Sequence, residues 1–448
     1  MTALDDAGEN TGRGGVAAPS TLSAGGSPPD VAPDGMVRGE ASAPGPEPGG
    51  APADTGAGVV PPVWLIRFIA LSCGLVVANL YYAQPLIVPI ARSLGIRPEL
   101  SGLVVTLTQF GYGGGLLLLV SLADAIENRR LILGALAMLV LALAGSALAT
   151  NAATFLFCAL LTGFCAAATQ ILVPLATHLT PERLRGRTVG TVMAGLLGGI
   201  MLSRPVASGL ADHLGWHSVF AGSAVATLLL ALMLRPLLPH RRPAHADDGP
   251  WRAFRSLPGL VRDTPLMRHR ASLQVTAFAA FSLFWTAVPI LLAGPRFGMS
   301  QSGIALFALA GAGGALAAPL AGRLADRGHT EGGTVGALLA ILLPMLVTIV
   351  AASVGSLPLL VLAAVVLDAG VQFNQVLNLR SIYMLQPEAR GRLNALFMSF
   401  VFLGGGIASA LAPVLLHRGG WAAVAIAGSL AVAVALVLQW RRMRRAAG

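Results

Sequence analysis

From Trp64 to about residue 440 the chain is a run of apolar stretches of about 20 residues separated by short polar breaks. That is the length a helix needs to cross the hydrocarbon core of a bilayer. Twelve stretches are placed, at about 64–91, 100–123, 131–149, 153–176, 188–212, 217–236, 270–293, 302–323, 332–353, 356–380, 393–416 and 420–440. The expected fold is an all-α membrane protein with twelve transmembrane helices. Composition agrees. Of 448 residues only 11% are charged and 55% are hydrophobic, whereas a soluble domain carries roughly a quarter charged residues.

All 30 basic residues are arginine. Without lysine there is no P-loop lysine for ATP and no pyridoxal Schiff base, so a driving force has to come from a gradient or another subunit. The net charge of +10 raises the question of nucleic acid, and the placement of the arginines answers it. One set of loops holds Arg129, Arg130, Arg183, Arg185, Arg187, Arg241, Arg242, Arg252, Arg255, Arg262, Arg268, Arg323, Arg327, Arg390 and Arg392, with Arg441, Arg442, Arg444 and Arg445 at the end of the chain. The other set holds Arg92, Arg97, Arg296 and Arg418. The positive-inside rule puts both termini in the cytoplasm and leaves no nucleic-acid partner to expect. Cys73, Cys158 and Cys165 lie in apolar runs without metal-site or disulfide spacing. No HExxH or GxSxG motif is found, so no metal, cofactor or enzymatic chemistry is expected.

Residues 1–60 are rich in Gly, Ala, Pro and acids, and read as a disordered cytoplasmic tail. Residues 61–236 form a first six-helix bundle, 237–269 a proline- and arginine-rich cytoplasmic linker, 270–440 a second bundle, and 441–448 a basic tail. The two bundles repeat each other. Arg185-Gly186-Arg187 returns as Arg390-Gly391-Arg392, Gly215-Trp216 as Gly420-Trp421 and Gln170 as Gln375, all 205 residues apart, while Ala123-Asp124 returns as Ala325-Asp326 at 202. A shared period in independent markers indicates a duplicated unit. Six crossings return the chain to its starting side, so the copies are parallel.

The loop Leu122-Ala123-Asp124 to Arg129-Arg130, and its better-matched counterpart from Gly322 to Gly328, resemble the GxLaDrxGr signature of the major facilitator superfamily. Ala78-Asn79-Leu80-Tyr81-Tyr82-Ala83-Gln84-Pro85 resembles the first helix of a bacterial subgroup of efflux permeases. The resemblance covers residues 64–440 and implies two parallel six-helix repeats around a midplane substrate site. It places the first, fourth, seventh and tenth helices around the pathway.

An ionisable group at bilayer depth costs roughly 2.5 to 3.5 kcal/mol on insertion scales, so each one points to function. Asp368 lies about 12 residues into the tenth stretch, followed on one helical face by Gln372 and Gln375. The functional reading gives this stripe to the cavity, with Asp368 taking a proton or a cationic substrate group. The alternative is an interhelical hydrogen-bond cluster. Asn378 widens the polar face. Arg204 sits at similar depth in the fifth stretch, which permits a charge pair with Asp368 across the halves. Its segment, Arg204 to Gly209, resembles a GPxxGG antiporter motif with arginine at the first glycine. The fourth stretch has Gln170 and lacks the arginine that such antiporters carry. The resemblance makes Asn79, Tyr82 and Gln84 in the first stretch and Trp285 in the seventh further pathway candidates, the alternative for the aromatic residues being anchors at the bilayer edge. Asp124, Arg129, Arg130, Asp326 and Arg327 resemble the superfamily's gating-loop residues.

The resemblance implies secondary active transport by alternating access, with proton-coupled efflux of a small organic molecule. The expected partners are that substrate, protons and the lipid bilayer, and the expected state is a monomer. The alternatives are a proton-coupled importer or facilitator of a sugar, organic acid or other metabolite, and a non-transporting receptor or enzyme.

Overall fold

Proline and glycine decide where the apolar stretches cease to be straight helices. The computed structural model describes residues 62–123, 126–239, 250–385 and 390–447. The expected tail at 1–60 and the gating residue Asp124 lie outside the described residues. The first crossing is α1 (Val63–Ala78) and α2 (Ile87–Ser93), joined by turns over 79–86. Pro85 cannot donate a helical hydrogen bond, and Asn79 Nδ2 donates to the carbonyls of Leu75 (3.0 Å) and Val76 (3.2 Å) next to the break. Backbone groups freed in a membrane have to find such partners.

The second and third crossings are α3 (Leu103–Ala123) and α4 (Asn128–Ala147). The fourth is split into α5 (Ala152–Ala166) and α6 (Thr169–His178). The fifth and sixth are α7 (Arg185–Leu214) and α8 (Trp216–Leu237). A helix α9 (Pro250–Asp263) lies within the expected linker, and α10 (Pro265–Ala293) begins the second set. The eighth crossing is α11 (Gln301–Ala310), a 3-10 segment Gly311–Leu316, and α12 (Ala317–Asp326). Then come α13 (Thr330–Val354), α14 (Leu357–Tyr383) and α15 (Arg390–Ala447). The last is two crossings meeting at Gly419 and Gly420, whose backbone leaves the helical region.

Nine helices among the described residues are long and apolar enough to cross a membrane. The fold-back in α15 and the two crossings built from shorter pieces bring the total to twelve. The expected continuous spans at 64–91, 153–176 and 302–323 are therefore broken helices. Gly215 and Gly420, which precede the last helix of each half, share a positive φ of 77° and 63°, a conformation open to glycine. The repeat seen in sequence thus has a backbone counterpart at that position.

Close helix crossings form where side chains are absent. A Cβ on Gly199 of α7 would overlap the backbone of Gly74 in α1, and one on Gly163 of α5 would overlap the Thr108 carbonyl in α3. Without a hydrophobic force between helices in lipid, such contact is the main source of cohesion. The halves meet through α3 against α15 and α7 against α11. Thr106 Oγ1 donates to the Gly406 carbonyl at 3.0 Å, His417 lies 3.2 Å from Glu99, and Ser302 donates to Asp212. Glu99, Asp212, Ser302 and His417 lie toward the loops with few arginines, which we call the opposite face. The arginine-rich loops mark the basic face.

Candidate functional site

Two charged side chains are buried at one depth. Arg204 lies ten residues before the end of α7 at Leu214, and Asp368 eleven residues after the start of α14 at Leu357. Both are roughly 15 Å from the opposite face at 1.5 Å per residue. Arg204 is 4% exposed and Asp368 5%. The direct pair between them raised by the sequence is not formed, because Trp285 of α10 stands between. Its indole N–H donates to Asp368 Oδ1 at 2.8 Å, while the guanidinium carbon of Arg204 lies 4.2 Å from the ring centre.

Arg204 is further enclosed by the rings of Tyr81 and Phe281, at 5.3 and 5.4 Å. A ring face attracts a cation, more strongly when water is excluded. Its Nε donates to Gln84 Oε1 at 2.9 Å, and its Nη2 is buried without an acceptor among the described residues. The glycines of the 3-10 segment in the eighth crossing pack closely on this group. A Cβ on Gly311 would come within 2.6 Å of Asp368 Oδ2 and 2.8 Å of Trp285, and one on Gly314 within 2.5 Å of Asp368 Cβ.

A cavity of about 330 Å³ runs from this pair toward the basic face. On α14 it is lined by Asp368, Gln372, Gln375, Leu379 and Tyr383, and on α7 by Met193, Leu196, Leu197, Ile200 and Arg204. The α14 set falls at three- and four-residue steps and the α7 set at the same spacing with Leu196 and Leu197 side by side, one face of each helix. Gln170 lines it from α6, donating to the Tyr112 hydroxyl at 3.2 Å and accepting from Asn394 Nδ2 of α15 at 3.4 Å. That last contact bridges the halves on the basic side of the charges.

Of the expected pathway residues, Gln170, Arg204, Asp368, Gln372 and Gln375 share this wall. Gln84 and Trp285 stand behind it and hold the two charges. Three others are elsewhere. Asn79 accepts from Ser223 at 2.7 Å and clamps α1 to α8. Tyr82 is buried at 7% exposure off the cavity wall. Asn378, with Asn374, donates to Gln274 Oε1 (3.3 and 2.7 Å) and ties α14 to α10.

Tyr81, Tyr112, Phe278, Phe281 and Asn394 line the cavity without having been singled out in the sequence. The adjacent tyrosines were visible, but the break at 79–86 removes the helical register that would say which faces inward.

In the gating loops, Asp326 pairs with Arg380 at 2.5 Å, and Arg380 also donates to the Gly322 carbonyl at 3.3 Å, tying α12 to α14. Arg129 donates to the carbonyl of Arg235 at 2.7 Å and Arg130 pairs with Glu127 at 2.9 Å. Arg327 is exposed, its backbone N–H on the Arg323 carbonyl.

The sequence matches the Major Facilitator Superfamily over residues 69–382 and again over 271–447. It is 39% identical over 385 residues to the uncharacterized transporter YgaY of Escherichia coli O157:H7, covering 85% of this chain and 96% of that protein. It is 31% identical over 382 residues to the probable transporter SCO4007 of Streptomyces coelicolor, covering 84% and 86%. Among solved structures, a D-xylose-proton symporter superposes with a TM-score of 0.66 at 14% identity over 83% of this chain and 97% of that one. The nucleoside transporter NupG does so at 0.66 and 14%, over 85% and 99%. At such identity these two speak for the fold alone. The protein is a multi-pass membrane transporter of a small molecule and not an enzyme, and the chain belongs to the major facilitator superfamily.

Proposed function

We propose that this is a proton-coupled secondary transporter working by alternating access, with Asp368 as the proton site. The observation that carries the reading is the position of that carboxylate. It lines the cavity at the depth of Arg204, with one oxygen on the Trp285 N–H and no cation in ion-pair contact among the described residues. A carboxylate at this depth can take up one proton and lose its charge, and holding a charge there is costly. The gateway from the aqueous phase to Asp368 is the Gln372 and Gln375 stripe. By the positive-inside rule the basic face is cytoplasmic, with both termini on that side of a bacterial inner membrane, and the protein works as a monomer.

A second reading, export in exchange for inward protons, draws on residues 78–85 with their likeness to efflux permeases. Everted membrane vesicles carrying a pH dye test both. Addition of a transported substrate changes the internal pH with the wild type and leaves it unchanged with Asp368→Asn. A pH change of equal size in that variant contradicts the assignment of the proton, and the sign of the wild-type change separates exchange from co-movement.

A further inference from the structure

Arg204 carries more hydrogen-bonding capacity than the protein uses. A guanidinium has five N–H donors. One goes to Gln84, three rings take the charge from the faces, and Nη2 is buried without an acceptor among the described residues. Arg204 nevertheless lines the cavity. A carboxylate or similar acid group accepts from such a fork in two places at once, and among the described residues none pairs with Arg204.

Charge balance points the same way. With Asp368 ionised, Arg204 and Asp368 sum to zero, and the empty site can cross the low-dielectric interior without a net charge. Once Asp368 holds a proton the site is left at +1, which is costly where charges are poorly solvated. An anion arriving with the proton restores zero. A cation bound at ionised Asp368 leaves +1, and an anion without the proton leaves −1. Among these, only an anion together with a proton gives neutral empty and loaded states.

Besides the charges and the amides Gln170, Gln372, Gln375 and Asn394, the wall carries an apolar and aromatic group, with Phe278, Phe281, Met398, Val401 and Phe402 lining the 330 Å³ space. That volume is at the small end of drug-sized sites. We propose that the cavity takes an amphipathic organic anion, its acid group on the terminal nitrogens of Arg204 and its hydrocarbon body against Phe278, Phe281 and Met398, bound together with the proton. The inference rests on Asp368 as the proton site and adds the charge class of the substrate. It also makes proton and substrate move in the same direction.

The test is an isosteric series: 3-phenylpropionate, 3-phenylpropanamide and 3-phenylpropylamine, titrated against tryptophan fluorescence of the purified full chain. The acid is expected to bind saturably, and the neutral amide and cationic amine much more weakly. Arg204→Gln lowers affinity for the acid about 10- to 100-fold, the range for a hydrogen bond to a charged group, while Arg204→Lys retains part of it. Equal or tighter binding of the amide or amine, no binding of the acid at millimolar concentration, or an unchanged affinity in Arg204→Gln overturns the proposal. If Arg204→Gln does not fold, the wild-type series alone decides.

Repeating the acid titration in mildly acid and mildly alkaline buffer separates the two claims. The wild type binds more tightly in acid, and Asp368→Asn binds equally in both. A pH dependence that survives in Asp368→Asn removes Asp368 as the proton site and leaves the anion site standing. Preference for the amine with an Asp368-dependent pH response does the reverse.

Discussion

Trp285 does two jobs with one ring. Its face balances Arg204 and its N–H orients Asp368. Trp285→Phe keeps the face and removes the donor, so uptake of 3-phenylpropionate by proteoliposomes is expected to fall about tenfold, and Trp285→Leu, which removes both, to fall further. Equal rates for Phe and Trp at this position would show that the hydrogen bond has no part in coupling.

Two ion pairs on the basic face differ in the same residue-level terms. Arg270 is 2% exposed, is 2.6 Å from Glu331 and has a buried Nε without an acceptor. Glu331→Gln leaves a buried cation poorly compensated, and we expect a loss of about 2 kcal/mol in detergent unfolding. Asp326 and Arg380 are 65% and 44% exposed in their side chains, so Asp326→Asn costs less than about 1 kcal/mol of stability. Any larger effect of that variant belongs to the transport rate.

What the sequence made legible at this scale follows from helix continuity. Asp368, Gln372 and Gln375 were assigned to one face, and α14 is unbroken through them, so the 3.6-residue period holds. Arg204 was matched to Asp368 in depth for the same reason. Asn79 and Tyr82 are among the pathway candidates in sequence, but they sit at the break between α1 and α2, where the period no longer applies. The Trp285 bridge joins a residue of one half to charges in both, and long-range contacts of that kind leave no local signal.

At the scale of elements, glycine fixes how near two helices come. Gly198 and Gly199 are neighbours in α7, yet a Cβ at 198 meets nothing within 4 Å while one at 199 runs into Gly74. Gly199→Ala is therefore expected to lower the unfolding midpoint by several degrees, with Gly198→Ala within about one degree of the wild type. Comparable midpoints for the two would mean that α1 and α7 are not in contact there. Gly314 makes the same argument for function. A Cβ there displaces Asp368, whereas Gly336 of α13 faces open space, so Gly314→Ala abolishes transport and Gly336→Ala leaves it intact. The broken helices were hidden in sequence because hydropathy reports only length and polarity. Pro85 and the glycines at 311, 313 and 314 stand at two of the breaks, but both residue types also occur inside unbroken membrane helices.

For the whole molecule, the repeat was the most legible feature, since a parallel duplication fixes crossing number and internal symmetry together. The loops that meet on the opposite face, and the cavity reaching from Arg204 and Asp368 toward the basic face, describe one of the two arrangements that alternating access requires. The other arrangement is expected to separate Asp212 from Ser302 and Glu99 from His417, and to bring the repeated Arg-Gly-Arg loops together. The direct test is a pair of spin-label distances, measured with the native cysteines replaced by alanine. One pair sits on the basic face at Gly186 and Gly391, where an added side chain meets nothing, and the other on the opposite face at the exposed Leu214 and Arg418. Acidification in the presence of 3-phenylpropionate is predicted to shorten the 186–391 distance while lengthening 214–418, and Asp368→Asn is predicted to lose both changes. Distances that stay fixed, that change in the same sense on both faces, or that respond identically in Asp368→Asn would contradict two halves rocking about a proton-binding centre.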